Sequence, residues 1–281
     1  MKLLMLVIAF FSIIMGCSPG EKPKSENEEG SNQQWTTGVA LYSFNRFPFV
    51  ESLDKAKKAG VDYIEGFSFH KLGEDFRNRS IMELSDGQLA RMKAMVEEKG
   101  LHMRSMYAEV ESKADWKQLI AVANALKLEF LVGEPEPTHW DFLNELAGEH
   151  DIQIAIHQHA KGQSRYWHPD SVLVALEGRD HFGVCGDLGH WVRSGLDPVE
   201  SMKKLEGRII SVHAKDLDEF GNIEANDVRI GSGVIDYKAV IEELERQSFS
   251  GPVYIEAEHN WEDNLESVRF GVDYIRQLRD D

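Results

Sequence analysis

The sequence predicts an α/β fold, a single (β/α)8 barrel, and three observations lead there. Beyond residue 34, short β-type runs alternate with amphipathic helical stretches through eight rounds, which demands parallel pairing with right-handed crossovers. An open doubly wound sheet would carry a glycine-rich phosphate loop after its first strand. Here that strand runs into Tyr42-Ser43-Phe44-Asn45 instead. No internal repeat or second linker interrupts residues 35–281, so they read as one domain, with 42% apolar residues to fill its core.

The predicted strands are Thr37–Tyr42, Val61–Gly66, Leu101–Met106, Glu129–Gly133, Gln153–His157, Gly183–Asp187, Ile209–His213 and Pro252–Glu256. Most are rich in valine, isoleucine or aromatic residues, which suit a pleated, buried surface. Between them, Ser52 is placed to cap a helix that stops at Gly60, and Ser85 opens another that stops at Gly100. Asp197-Pro198-Val199-Glu200 combines an N-cap, a proline at the first helical position and a glutamate at the third. The last helix runs from Asn264 to Leu278, with Leu265, Val268, Val272, Ile275 and Leu278 at helical spacing.

The first 34 residues stand apart. After Met1-Lys2, Leu3 to Met15 is apolar except for Ser12, short for a membrane span and suited to a signal segment. It ends at Ile14-Met15-Gly16-Cys17, which resembles the lipobox of bacterial lipoproteins. That resemblance implies a signal peptide over residues 1–16 and lipidation at Cys17. Residues 17–34 contain no large apolar side chain and read as a flexible tether. The expected product is a lipoprotein held at the membrane through its N-terminal lipid alone, facing the periplasm or the cell surface. Cys185 is then the one remaining cysteine; it reads as core packing, with no disulfide.

A formal net charge of −17 repels phosphate backbones and argues against a nucleic-acid partner. It also favours a neutral sugar over a sugar phosphate. Barrels of this kind place functional groups at the C-terminal ends of their strands. Four ends stand out: Ile156-His157-Gln158-His159, Gly186-Asp187-Leu188-Gly189-His190-Trp191, Val212-His213-Ala214-Lys215-Asp216 and Ile255-Glu256-Ala257-Glu258. Alternation puts His157 with His159, His213 with Lys215, and Glu256 with Glu258 on common faces. Mixed imidazole and carboxylate donors suit zinc, manganese, cobalt or iron, with magnesium as a harder candidate. Glu65 and Arg104 read as partners in interior ion pairs or hydrogen bonds. Tyr42, Phe44, Phe67, Tyr107, Trp167, Trp191 and Trp261 fall in or near the same loops, where aromatic faces suit sugar C–H faces.

On these motifs, with Gly231-Ser232-Gly233-Val234-Ile235-Asp236, the chain resembles the xylose isomerase-like TIM-barrel superfamily of sugar isomerases and epimerases. The resemblance runs from Trp35 to the end. It implies Asp187, His213 and Glu256 as metal ligands, and His190 as a group near metal and substrate. A fourth ligand, usually glutamate at the end of strand five, falls on His157. The implied chemistry is proton abstraction beside a carbonyl by Glu256 or His157, with a divalent metal stabilising the enediolate of a small carbohydrate. Glu134, Lys215 and Glu258 are placed as substrate contacts, and Trp191 as the stacking surface. Elimination of the aglycone from a 3-keto-glycoside is the alternative reaction, and a catalytically inactive carbohydrate-binding lipoprotein the alternative class. Gly231-Ser232-Gly233 offers either a phosphate cradle or a plain tight turn.

Overall fold

A computed structural model describes residues 35–280 of the chain. The signal segment, Cys17 and the tether therefore lie outside the described residues. Eight parallel strands close into a barrel: β1 Thr36–Ala40, β2 Tyr63–Phe67, β3 His102–Ala108, β4 Phe130–Gly133, β5 Gln153–Ile156, β6 Phe182–Asp187, β7 Ile209–Ala214 and β8 Pro252–Ile255. The ring is sealed where β1 pairs with β8, Val39 beside Ile255. Among the described residues nine α-helices pack outside: α1 Phe49–Lys58, α2 Asp86–Glu98, α3 Lys113–Leu126, α4 Trp140–Glu149, α5 Pro169–Leu176, α6 Leu188–Arg193, α7 Pro198–Lys204, α8 Tyr237–Arg246 and α9 Leu265–Asp280. Among the described residues no helix is long and apolar enough to cross a membrane.

Each strand faces two cores, as a barrel requires. The larger core lies between strands and helices. A smaller one fills the interior with Ala40, Phe130, Val132, Ala155, Cys185 and Tyr254. Cys185 is thus a fully buried free thiol, the packing role its context suggested. Tyr254 fits because residue 38 is glycine. A Cβ there would stand 2.6 Å from the Tyr63 carbonyl oxygen and 2.8 Å from the Tyr254 ring.

Helix ends follow local chemistry closely. Gln88 Oε1 accepts from the Ser85 backbone N–H at 3.2 Å, and Asp197 Oδ1 accepts from the Glu200 N–H at 2.9 Å, as capping requires. Gly60 ends the first helix with φ at 85°, a conformation glycine adopts without steric cost. Ser52 is a correction. Helix α1 begins earlier, at Phe49, and Ser52 lies inside it. Its buried Oγ sits 3.1 Å from the Pro48 carbonyl oxygen and 3.3 Å from His70 Nε2. The proline at the N-cap starts the helix, because its fixed φ suits a helix entrance.

A candidate metal centre at the mouth of the barrel

Asp187, the last residue of β6, organises the site. Its Oδ1 accepts the His190 backbone N–H at 2.9 Å and so caps α6. The cap leaves Oδ2 aimed at the barrel axis, 3.4 Å from His157 Nε2, 3.8 Å from His213 Nδ1 and 4.0 Å from His190 Nε2. Glu256 closes the ring, with Oε2 3.0 Å from His213 Nδ1.

The far sides of two of these imidazoles, His213 and His157, are held by carboxylates. His213 Nε2 lies 2.7 Å from Glu65 Oε1, and Glu65 Oε2 also accepts from Ser105 Oγ at 2.7 Å. His157 Nδ1 lies 3.4 Å from Glu134 Oε1. A carboxylate behind a histidine fixes the ring so that its other nitrogen faces a metal. Two such pairs converge on one point.

A divalent cation fits these donors. The ligand atoms of His157, Asp187 and His213 all lie within 4.8 Å of one another and are buried. Asp187 Oδ2 and His213 Nδ1 are buried and make no well-aligned hydrogen bond; their polar neighbours, Lys215 Nζ at 3.1 Å and Glu256 Oε2 at 3.0 Å, meet them only as ion pairs, which leaves both lone pairs open to a cation. The imidazole–carboxylate set suits a borderline first-row ion.

Charge in the cluster is balanced by protons and one ammonium. Burial alone lowers His157, but the approach of Asp187 and Glu134 outweighs it and raises the imidazole to about 10. His213 is likewise raised against burial, by its carboxylate surroundings. Burial holds His190 well below the ordinary histidine value, so it is neutral at pH 7. Glu256 is kept below the usual carboxylate range by His213 and Lys215, against the opposing effect of burial. Lys215 Nζ lies 2.9 Å from Glu256 Oε2 and 3.1 Å from Asp187 Oδ2, and it bonds Glu258. It is an internal cation beside the ligands.

Above this floor opens a cavity of about 480 Å³. His157, His190, Lys215, Glu256 and Glu258 line it, with Tyr42, Phe67 and Tyr107 forming an aromatic wall. Asp187 and His213 sit deeper, 0% and 1% exposed.

Several expectations change. Trp191 is fully buried and packs over Gly186, whose Cβ would stand 2.8 Å from the indole. Adjacent helical residues point about 100° apart, so His190 meets the cavity while Trp191 enters the core. Phe44 is also a core residue, and Trp261 stands behind Tyr42, ring centroids 5.7 Å apart. Glu134 turns away from the cavity. It accepts from the His159 N–H at 3.1 Å and Ser164 Oγ at 2.6 Å, so it positions the strand-five histidines. Arg104 pairs with the half-exposed Glu129 and donates to Thr36 Oγ1 of β1 at 3.3 Å, at the end of the barrel away from the site. The glycines at 231 and 233 each donate a backbone N–H to Asp216 at 2.9 Å. They form a tight turn, and those donors are already used.

Sequence reasoning missed Phe69, Glu109, Gln163, Arg193 and Ile223, all lining the cavity. Phe69 and Glu109 left a signal, since alternation from Phe67 and from Tyr107 carries them to the same side. The rest come from loops whose course no periodicity reports.

Residues 53–278 match the xylose isomerase-like TIM barrel family, and the chain belongs to that family. An inosose isomerase from Bacillus velezensis is 26% identical over 239 residues, 73% of this chain and 82% of its own. An inosose dehydratase from Clostridium botulinum is 27% identical over 151 residues, 48% of this chain. The chain spans about half the length of the inosose dehydratases it matches (51% in that case). Among solved structures, a protein of uncharacterised function from Parabacteroides distasonis is 30% identical with a TM-score of 0.69, covering 86% of this chain and 98% of that one. The IOLI protein, solved with a bound zinc atom, shares the fold at TM-score 0.71 and 18% identity, over 87% of this chain and 98% of that one.

Proposed function

We propose that the protein is a divalent-metal-dependent enzyme that removes a proton beside a carbonyl of a small carbohydrate, acting as a keto-sugar isomerase or epimerase. The observation that carries this is the convergence of His157 Nε2, Asp187 Oδ2, His213 Nδ1 and Glu256 Oε2 beneath one cavity, two of them buried without a well-aligned hydrogen bond. His157, Asp187, His213 and Glu256 would hold a divalent ion, which would supply Lewis-acid polarisation of a substrate carbonyl and so acidify the neighbouring C–H. The chain's own residues supply the rest. Glu256, ionised and at the cavity wall, is the candidate base. His190, neutral through burial, takes up or returns a proton on the other side. Lys215, its ammonium taken up by Asp187, Glu256 and Glu258, offsets their negative charge and holds the three carboxylates together. Tyr42, Phe67 and Tyr107 exclude water from one flank.

A lyase is the second reading, favoured by one asymmetry. Glu256 and Glu258 form one side of the floor, while His159 and His190, with ring centroids 4.8 Å apart, form the other. Epimerisation by two equivalent carboxylates does not match that arrangement. Loss of a β-substituent after the same proton abstraction does, releasing water or the aglycone of a 3-keto-glycoside. The inosose dehydratase relatives are in keeping with it.

Elemental analysis of the purified protein beside His213→Ala is the test, followed by incubation with keto-sugars, keto-inositols and 3-keto-glycosides. Near-stoichiometric metal, lost in the variant, is expected. A product of unchanged mass identifies an isomerase or epimerase, and loss of water or aglycone a lyase. No metal in either protein after adding manganese, zinc or cobalt leaves a carbohydrate-binding protein and sinks the mechanism.

A further inference from the structure

The cavity changes character with depth. Its floor is polar and buried, with Glu256 6% exposed, whereas Phe69 on its wall is 44% exposed. An aromatic series joins the two levels. Tyr107 meets His157 edge-on at 5.3 Å, and Phe69 meets Tyr107 at 6.4 Å, Phe67 at 4.8 Å and Tyr42 at 6.1 Å. Ile223 and Ala225 also line the cavity. Their loop is tied to α6 by Arg193, which donates to the Ala225 carbonyl at 3.2 Å and pairs with Asp227.

Volume and charge narrow what can fill this space. About 480 Å³ falls in the range that encloses drug-sized ligands, more than one sugar ring over the floor requires. The cations at the cavity, Lys215 and Arg193, are each engaged by carboxylates, and Glu109 and Glu224 stand on the lining. A phosphate or carboxylate on the outer part of a ligand would meet like charge, with Lys215 and Arg193 already neutralised by carboxylates. An uncharged ring meets aromatic faces.

We propose that the outer part of the cavity is a second subsite, which takes an uncharged aromatic or apolar ring joined to the reacting sugar. This rests on the reading of the floor as the reacting centre. It narrows the substrate class to unphosphorylated glycosides that carry such a ring, and makes Phe69 a specificity-determining residue.

The test is calorimetric binding of matched phenyl and methyl β-glycosides of glucose, galactose and xylose to the metal-loaded full chain. At least one phenyl glycoside is expected to bind about fivefold or more tightly than its methyl counterpart, the scale of one good aromatic contact. Phe69→Ala, an exposed position, should cut that preference below about twofold. Phe270→Ala, on an exposed aromatic of α9 outside the cavity, should keep it. No phenyl preference anywhere in the panel, including no binding at all, overturns the subsite, as does a preference that survives Phe69→Ala. Metal content is read on the same samples, and turnover on the matched 3-keto-glycosides, which carry the carbonyl that the proton abstraction needs. A phenyl preference without metal or turnover refutes the enzymatic reading and leaves the subsite standing; turnover without preference does the reverse.

Discussion

Asp187 shows how one carboxylate serves two functions. Its Oδ1 caps α6, so its Oδ2 is oriented toward the imidazoles by the backbone itself. His213 is held by the pull of Glu65 behind and the ligand position in front. His70 is a histidine of the opposite kind. It stacks on Phe67, with centroids 4.2 Å apart, and its Nε2 lies 3.0 Å from the Phe47 carbonyl oxygen. Burial lowers it from 6.5 to about 4. The unfolded chain therefore binds the extra proton between these values, so stability falls as pH drops from about 6.5 toward 4. The shift amounts to about 3 kcal/mol at its fullest. Urea midpoints of the protein and His70→Gln, compared at pH 7 and pH 4 under chelation, should show the variant losing less stability on acidification. Parallel losses would mean that His70 does not contribute to the acid limb.

Among the elements, the segment between β7 and α8 connects the site to the fold. Asp216 and Leu217 pair antiparallel with Asp227 and Val228, and the chain then turns back around one carboxylate. Asp216 accepts from the N–H groups of Gly231, Gly233 and Ile235, while Tyr237 Oη donates to the Lys215 carbonyl at 2.9 Å. Gly233 is required here, because a Cβ would stand 2.2 Å from the Leu217 carbonyl oxygen. Asp216→Ala leaves those three donors and the Leu217 N–H, which Asp216 also accepts at 3.0 Å, without their acceptor, and a loss of about 2–4 kcal/mol is expected. Asp216→Asn keeps one acceptor oxygen and should lose less. Thermal unfolding of the two variants checks this order, and an alanine variant as stable as the parent would show the turn to be independent of Asp216.

At the scale of the molecule, closure of β1 onto β8 brings the loops after both strands to one mouth. Ser43 Oγ, from the first loop, accepts from the Ala257 N–H at 2.9 Å, directly beside Glu256. Residues from the two ends of the domain therefore build one wall. The N-terminal signature belongs to this scale too: Cys17 with its polar tether proposes an enzyme working at a membrane surface. Expressed in a bacterial host, the full chain should partition with membranes into detergent, and Cys17→Ser should remain in the aqueous phase. A variant that still follows the membrane fraction would remove the lipid anchor from the proposal.

Local chemistry determined much of this protein. Eight short β-type runs, with helix stops at Gly60 and Gly100 and a cap at Asp197, specify the barrel because period and capping act over a few residues. The strand-end rule then brought His157, Asp187, His213 and Glu256 to one place, since alternation and strand polarity are local properties as well. Tertiary structure alone decided the rest. Whether Trp191 or His190 faces the cavity depends on the rotation of α6, which its Asp187 cap and packing over Gly186 set. That Glu134 and Glu65 stand behind histidines, and that Phe69, Arg193 and Ile223 share one cavity, follows from closure of the barrel. Contacts between residues far apart in sequence arise only when the two edges of the sheet meet.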